Sequence, residues 1–259
     1  MSINSKARSG LKWTTVSTIV LAISAMIKIS VLARFLEKAD FGVVAIVLFV
    51  LGFIELFNDM GISTAILARE NITKHQYASL YWINWIISIV IYVLILIISP
   101  FVAMFYSSDL LRSLLPLLGI NLVLSAIGRQ FKTIEQKNLR FKWISVIDVT
   151  ASVVSPSVSV FLAIYNYGVY SLVYSLILQI FISNVLYLLI GLRKYQLLFH
   201  YNFSEIKPFF KIGMYQVGGQ FVNYFNRDMD VLLIGKLFGP DILGGYSLAR
   251  DLVRKPSAI

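Results

Sequence analysis

No Asp, Glu, Lys, Arg or His occurs in the 44 positions from Val149 to Leu192, nor in the 32 from Tyr77 to Ser108. A helix that crosses a bilayer needs about 20 mostly apolar residues, so each run is long enough for at least one crossing. Charged residues make up only 14% of the 259 and hydrophobic ones 58%, against roughly 25% charged in soluble domains. Such a chain has too little polar surface to dissolve as a globule, and it reads as a polytopic membrane protein. Transmembrane barrel strands alternate over about ten residues, which these runs do not. The fold class is all-α.

Seven spans can be drawn: Trp13–Phe35, Phe41–Leu67, Ser79–Phe105, Leu110–Phe131, Ile144–Tyr165, Gly168–Leu192 and Phe209–Phe238, with an eighth segment starting near Leu243. Turn residues such as Ser107-Ser108-Asp109, Asn166-Tyr167-Gly168 and Gly239-Pro240-Asp241 separate them. The first apolar stretch is longer than the 7–15-residue core of a signal peptide and lacks an A-x-A-like site, so it is expected to be retained. Lys and Arg in the connections number 14 on the side of the N-terminus and four on the other. Positive charge marks cytoplasmic loops, which places the N-terminus in the cytoplasm. Trp13, Trp82, Trp85 and Trp143 all fall at cytoplasmic span ends, where an aromatic belt belongs.

The net charge of +10 sits in these loops, opposite anionic lipid, and points to membrane lipids rather than nucleic acid. There is no cysteine, and His75 and His200 have no ligand-like neighbours. Thiolate and disulfide chemistry have no residues to rest on, and a metal enzyme is not expected. No cofactor motif and no nucleotide-binding loop is present. The basic run Arg129–Lys142 reads either as a topology-setting loop or as an attractor of diphosphate headgroups.

Ionisable groups within spans are costly and by default face a cavity or a partner. Here they are Lys28, Glu55, Asp59, Asp148, Arg227, Asp228 and Asp230. Gln216, Gln220, Asn223, Arg227 and Asp230 follow steps of four, three, four and three, one face of a helix. Asp148, Ser152, Ser155 and Ser159 do the same, as do Ser17, Ser24 and Lys28, and Glu55 with Asp59. Four polar stripes are expected to share one water-accessible cavity. The serines equally suit close helix packing, and Glu55 and Asp59 a helix end.

A shift of 202 residues lays Val31–Leu36 on Leu233–Phe238, Gly42 on Gly244 and Lys28 on Asp230. Identities are few, but an even number of spans separates the copies, as two parallel repeats require. The chain is then expected to be incomplete, holding one half and the start of another. Lys28 and Asp230 are expected to oppose each other across the gap.

Several segments resemble one family. Arg34-Phe35-Leu36 with Asp40-Phe41-Gly42, Asp59-Met60-Gly61 with Ala65, Leu139–Lys142, Tyr167–Leu172, and Asn223 through Asp230 to Gly235 and Gly239 are similar to bacterial polysaccharide and O-antigen flippases. These form the polysaccharide transporter branch of the multidrug/oligosaccharidyl-lipid/polysaccharide exporter superfamily. Asp228 departs from the neutral polar residue expected there. The resemblance implies a six-helix lobe over 1–195, a cytoplasmic linker over 196–208, and over 209–259 the first helix and part of the second of another lobe. It implies a non-enzymatic flippase that moves an undecaprenyl-diphosphate-linked oligosaccharide across the membrane by alternating access. Lys28 and Arg227 are then the diphosphate candidates, and Gln216, Gln220 and Asn223 the sugar candidates. Asp59, Asp148 and Asp230 are the candidates for H+ or Na+ coupling, and polysaccharide-assembly proteins are the expected partners. The rival readings are a multidrug or cation exporter, which would prefer an acidic, aromatic cavity; a membrane glycan polymerase or ligase, which would need a sizeable outer loop; and an inactive fragment.

Overall fold

A computed structural model describes the backbone of residues 3–254 and the side chains of residues 10–210, 213–214 and 217–253. Over these residues the regular secondary structure is all helix: α1 Ile3–Leu32, α2 Lys38–Asn58, α3 Ile62–Ala68, α4 Lys74–Tyr106, α5 Leu110–Lys137, α6 Phe141–Ile164, α7 Val169–Lys194, α8 Phe203–Leu237 and α9 Gly239–Arg254. Six helices, α1, α2, α4, α5, α6 and α7, are long and apolar enough to cross a membrane, and the chain is an all-α, multi-pass membrane protein. The 35-residue α8 is not among the six, because its polar stripe lowers its apolar content. α4 begins in a reciprocal capping box, where the Gln76 N–H donates to Thr73 Oγ1 at 3.2 Å and the Thr73 N–H to Gln76 Oε1 at 3.0 Å.

The second expected span corrects itself at Asp59-Met60-Gly61. There α2 ends, and Met60 and Gly61 adopt φ of 45° and 69° before α3 starts. Asp59 caps the new helix, accepting from the Ser63 N–H at 3.2 Å and the Ser63 hydroxyl at 2.7 Å. The break lies against α8, where a Cβ on Gly213 would sit 1.9 Å from the Met60 carbonyl oxygen. An unbroken helix would put a turn of side chains into that contact.

The serine stripes resolve into packing. Ser24 donates to the Ser152 carbonyl at 2.5 Å and Ser145 to the Trp13 carbonyl at 3.0 Å, joining α1 to α6. Ser159 donates to the Ser171 carbonyl at 2.8 Å and Ser175 to the Ser155 carbonyl at 3.0 Å, joining α6 to α7. All but Ser24 of these serine donors are buried. Small hydroxyl residues let backbones approach while their own polar atoms are satisfied across the interface. The α6 stripe therefore does not reach a shared cavity, and the α1 stripe does so only at Lys28.

α2 and α9 cross at two glycines. A Cβ on Gly42 would lie 1.8 Å from the Pro240 carbonyl oxygen and 3.0 Å from the Gly244 nitrogen. A Cβ on Gly244 would lie 1.7 Å from the Lys38 carbonyl oxygen and 3.0 Å from the Gly42 nitrogen. These contacts exchange under the 202-residue shift, which maps 38 on 240 and 42 on 244. The crossing has the reciprocity of a two-fold pair.

The end of the bundle bearing the α5–α6 connection, called the basic end below, is held by charge. Arg129 of α5 pairs with Glu55 and lies 3.8 Å from Asp59. Lys132 meets Asp148 at 2.9 Å, and Tyr187 donates to the same carboxylate at 2.9 Å. Glu135, whose side chain is 3% exposed, takes Lys194 at 3.0 Å, Arg140 at 3.6 Å and the Tyr195 hydroxyl at 2.8 Å. Lys137 donates to the carbonyls of Ile66 and Arg69, and Lys142 lies over the Trp13 ring. The basic run 129–142 is thus engaged within the fold.

Candidate functional site

Polar residues of α1, α8 and α9 meet in a cavity of about 390 Å3. α2 forms its apolar wall through Phe49 and Gly52, and α7 contributes Leu172 and Leu176. Tyr224 fixes α8 to this wall. Its hydroxyl donates to the Phe49 carbonyl and its ring stacks on Phe49 at 5.7 Å. Gly52 is needed there, since a Cβ would stand 2.8 Å from the Tyr224 hydroxyl. One turn along α8 from Tyr224, Arg227 and Asp228 enter the lining.

The charged groups form a chain of contacts. Arg227 binds Asp228 through Nη2 at 2.7 Å and Nε at 2.8 Å. Arg250 of α9 reaches Asp228 at 3.4 Å and Asp230 at 3.0 Å, and the Tyr246 hydroxyl donates to Asp230. Lys28 of α1 and Asp251 of α9 also line the cavity. Two buried donors in this wall, Arg250 Nε and Ser247 Oγ, have no acceptor among the described residues. Buried polar atoms are normally satisfied, so two unsatisfied donors beside three cations call for an explanation. An anion with several oxygens would supply the missing acceptors and complement the cations.

Of the residues singled out by sequence, Lys28 and Arg227 line this cavity and Asp230 adjoins it. Gln220 and Asn223 are exposed on α8, about two turns and one turn from Arg227 toward the basic end. Gln216 lies outside the described side chains. Asp59 and Asp148 belong to the ion pairs of the basic end. Asp230 is taken by Arg250 and Tyr246 rather than by Lys28. Sequence reasoning missed Ser247, Arg250 and Asp251. Their three- and four-residue spacing in the eighth segment is a polar stripe of the kind read elsewhere.

The model of the family described as polysaccharide biosynthesis protein matches residues 31–259. The chain belongs to that family. It is 29% identical to the teichuronic acid biosynthesis protein TuaB of Bacillus subtilis, over 98% of this chain and 53% of that protein. It is 24% identical to the lipopolysaccharide biosynthesis protein WzxC of Escherichia coli, over 99% and 52%. The succinoglycan biosynthesis transport protein ExoT of Rhizobium meliloti shares 20% identity, over 90% and 47%. The chain spans about half the length of these relatives. No solved structure matches it. The family and these names support a role in polysaccharide biosynthesis, and the α1–α8–α9 cavity is where Lys28, Arg227 and Arg250 come together.

Proposed function

We propose that this chain is the N-terminal half of a flippase that carries an undecaprenyl-diphosphate-linked oligosaccharide from the cytoplasmic to the outer leaflet of a bacterial inner membrane. The observation that carries the reading is the cavity wall in which Lys28, Arg227 and Arg250 stand beside the unsatisfied donors of Arg250 Nε and Ser247 Oγ. A sugar diphosphate cannot enter hydrocarbon without partners for its charges and hydroxyls. Here the cations and donors take the diphosphate. The exposed α8 track of Gln220 and Asn223, with Gln216, meets sugar hydroxyls, and the lipid tail stays in the membrane. Residues 1–195 are one lobe, 196–208 a linker and 209–259 the start of the second, and transport is rocking of the lobes about the cavity. The basic end faces the cytoplasm. Asp230, in contact with the cavity cations, is the coupling carboxylate for H+ or Na+, while Asp59 and Asp148 act within their ion pairs. The protein is a transporter and no bond is made or broken.

The relatives named for teichuronic acid, lipopolysaccharide and succinoglycan support a glycan cargo over an organic cation. The test is binding of undecaprenyl-diphosphate oligosaccharide to the purified chain, measured against undecaprenyl monophosphate. Charge-assisted hydrogen bonds are worth about 1.5–3 kcal/mol, so Arg250→Gln is expected to weaken the diphosphate by roughly 10- to 100-fold. Equal affinity for a monophosphate, or tight binding of an organic cation with no diphosphate binding, would overturn the reading.

A further inference from the structure

A second pocket, of about 400 Å3, opens at the basic end between the start of α4, the end of α5 and the end of α7. Its floor is deep and mainly apolar, with Ala78, Phe131 and Ile134 no more than 5% exposed beside the buried Gln130, whose Oε1 has no donor among the described residues. Lys74 and Arg193, both exposed, stand at its rim. Their charge is not consumed within the fold. Lys74 Nζ has the neutral amide oxygen of Gln196 at 3.4 Å, and Arg193 has no ion pair among the described residues. The neighbouring Lys194, by contrast, is matched by Glu135.

The depth of the pocket is marked by tryptophan. One turn beyond Ala78, the Trp82 indole N–H donates to the Leu198 carbonyl at 3.0 Å and its ring stacks on Phe199 at 5.1 Å. Trp with one apolar and one polar side belongs at the membrane–water boundary. A pocket at that level with cations outside and apolar residues inside fits a molecule with the opposite order, anionic head outward and hydrocarbon inward. Its size falls in the range of roughly 300–1,000 Å3 typical of small-ligand sites. A free phosphate would satisfy the rim and leave the floor uncovered, so the floor selects a lipid.

We propose that this pocket binds the phosphate headgroup of an anionic phospholipid, with Lys74 and Arg193 on the phosphate and Phe131 and Ile134 under the first methylenes of its chains. The site is separate from the α8–α9 cavity and does not depend on what that cavity carries. Basic pockets between helices on this kind of face are suited to such headgroups.

The test is native mass spectrometry of the full chain titrated with phosphatidylglycerol or phosphatidylcholine. The wild type is expected to retain phosphatidylglycerol selectively. The double variant Lys74→Ala/Arg193→Ala is expected to bind it about 30-fold more weakly, or about 2 kcal/mol. Arg193→Lys, which keeps the charge, is expected to retain most of the binding. Lys142→Ala/Lys207→Ala removes as much charge from the same end outside the pocket and is expected to leave binding unchanged. Equal loss in that control would reduce the effect to surface charge and overturn the site. Displacement of the lipid by millimolar glycerol 3-phosphate would overturn the lipid assignment in favour of a soluble phosphate, and equal retention of phosphatidylcholine would overturn the role of the cations.

Discussion

Gly42→Ala and Gly244→Ala are the sharpest perturbations this fold offers. Each added methyl falls 1.7–1.8 Å from a carbonyl oxygen of the facing helix, whereas ordinary contact begins at 3.4 Å. The obstacle is backbone, so no side chain can swing away. α2 and α9 must part by about 1.6 Å, the difference between those distances. A radial gap of only 0.5–1 Å already forfeits a quarter to a half of a dispersion contact, so most of the attraction at the crossing is lost. Overpacking of this kind costs about 1–3 kcal/mol, and a backbone clash belongs at the upper end. For a chain of this size that is about 6–12 °C in Tm.

The reciprocity makes the test stronger. The first alanine already separates the helices, so the second has little left to displace. The double variant is expected to lose about as much as either single one, giving a coupling energy of about 2–3 kcal/mol in a double-mutant cycle. Gly245→Ala is the control one residue away, where nothing lies within 4 Å of the added Cβ. It is expected to be neutral or to stabilise by up to about 1 kcal/mol through helix propensity. Thermal unfolding in detergent, followed by tryptophan fluorescence, reads the wild type and all four variants. Additive losses from the two alanines, or equal losses at 42 and 245, would refute the shared crossing.

On α8, Gly213→Ala is expected to destabilise by about 1–3 kcal/mol through its clash with the Met60 carbonyl, while Gly218→Ala and Gly219→Ala, with nothing within 4 Å, are not; Tm comparison separates them. Lys194→Ala strips the nearest cation from the buried Glu135 but leaves Arg140 and Tyr195 in place. Its expected cost of about 2 kcal/mol is therefore below the 3–5 kcal/mol of a fully orphaned buried charge, and Lys194→Ala/Glu135→Gln is expected to recover part of it in the same Tm assay. Burial, with the hydrogen bond to Glu135, pushes the Tyr195 phenol up to about 12 from an ordinary value near 10. The folded state then holds that proton longer, so the stabilisation is complete below pH 10 and fades as pH rises toward 12; a constant Tm gap between wild type and Tyr195→Phe across pH 9–12 would contradict this. In the cavity, Asp230→Asn releases Arg250 from one carboxylate and is expected to tighten diphosphate binding up to about tenfold, opposite in sign to Arg250→Gln. Loss of binding in both would mean that Asp230 positions Arg250 instead of competing for it.

The helices were legible because a bilayer leaves little choice: a long stretch without charge must satisfy its backbone internally. The break at Asp59–Gly61 was not, because hydropathy is blind to φ, and Ile62 to Leu67 are as apolar as a continuing span. Only the contact with Gly213 shows why the chain turns there. Serines were ambiguous for a chemical reason. The same hydroxyl that lines a wet cavity also satisfies itself on a neighbouring carbonyl, as Ser159 does on Ser171, and spacing along one helix cannot distinguish these. Lys28 and Arg227 were legible because charge inside a span is rare. Arg250 was missed because its segment read only as the opening of a further helix, and its partners on α8, Asp228 and Asp230, are 22 and 20 residues away in sequence.

The two groups of charge follow different physical rules. At the basic end, Lys74 and Arg193 of the pocket rim apart, the cations of the run 129–142 close on a carboxylate, a carbonyl or a ring that belongs to another helix or turn, as in Lys132–Asp148 and Lys137 on the end of α3. Such contacts hold helices in one arrangement. In the cavity, Arg250 is divided between Asp228 and Asp230, Arg227 leans on its own neighbour, and two donors remain unsatisfied. The desolvation cost of the cations is offset by nearby acids, yet the geometry is incomplete. A rigid scaffold would gain by completing it with one more acceptor side chain. A binding site must leave that completion to its ligand, at an affinity low enough for the ligand to be released again. The unsatisfied Arg250 Nε and Ser247 Oγ are donors and so call for an acceptor, whereas the unsatisfied Gln130 Oε1 in the pocket of the salt-bridged end calls for a donor.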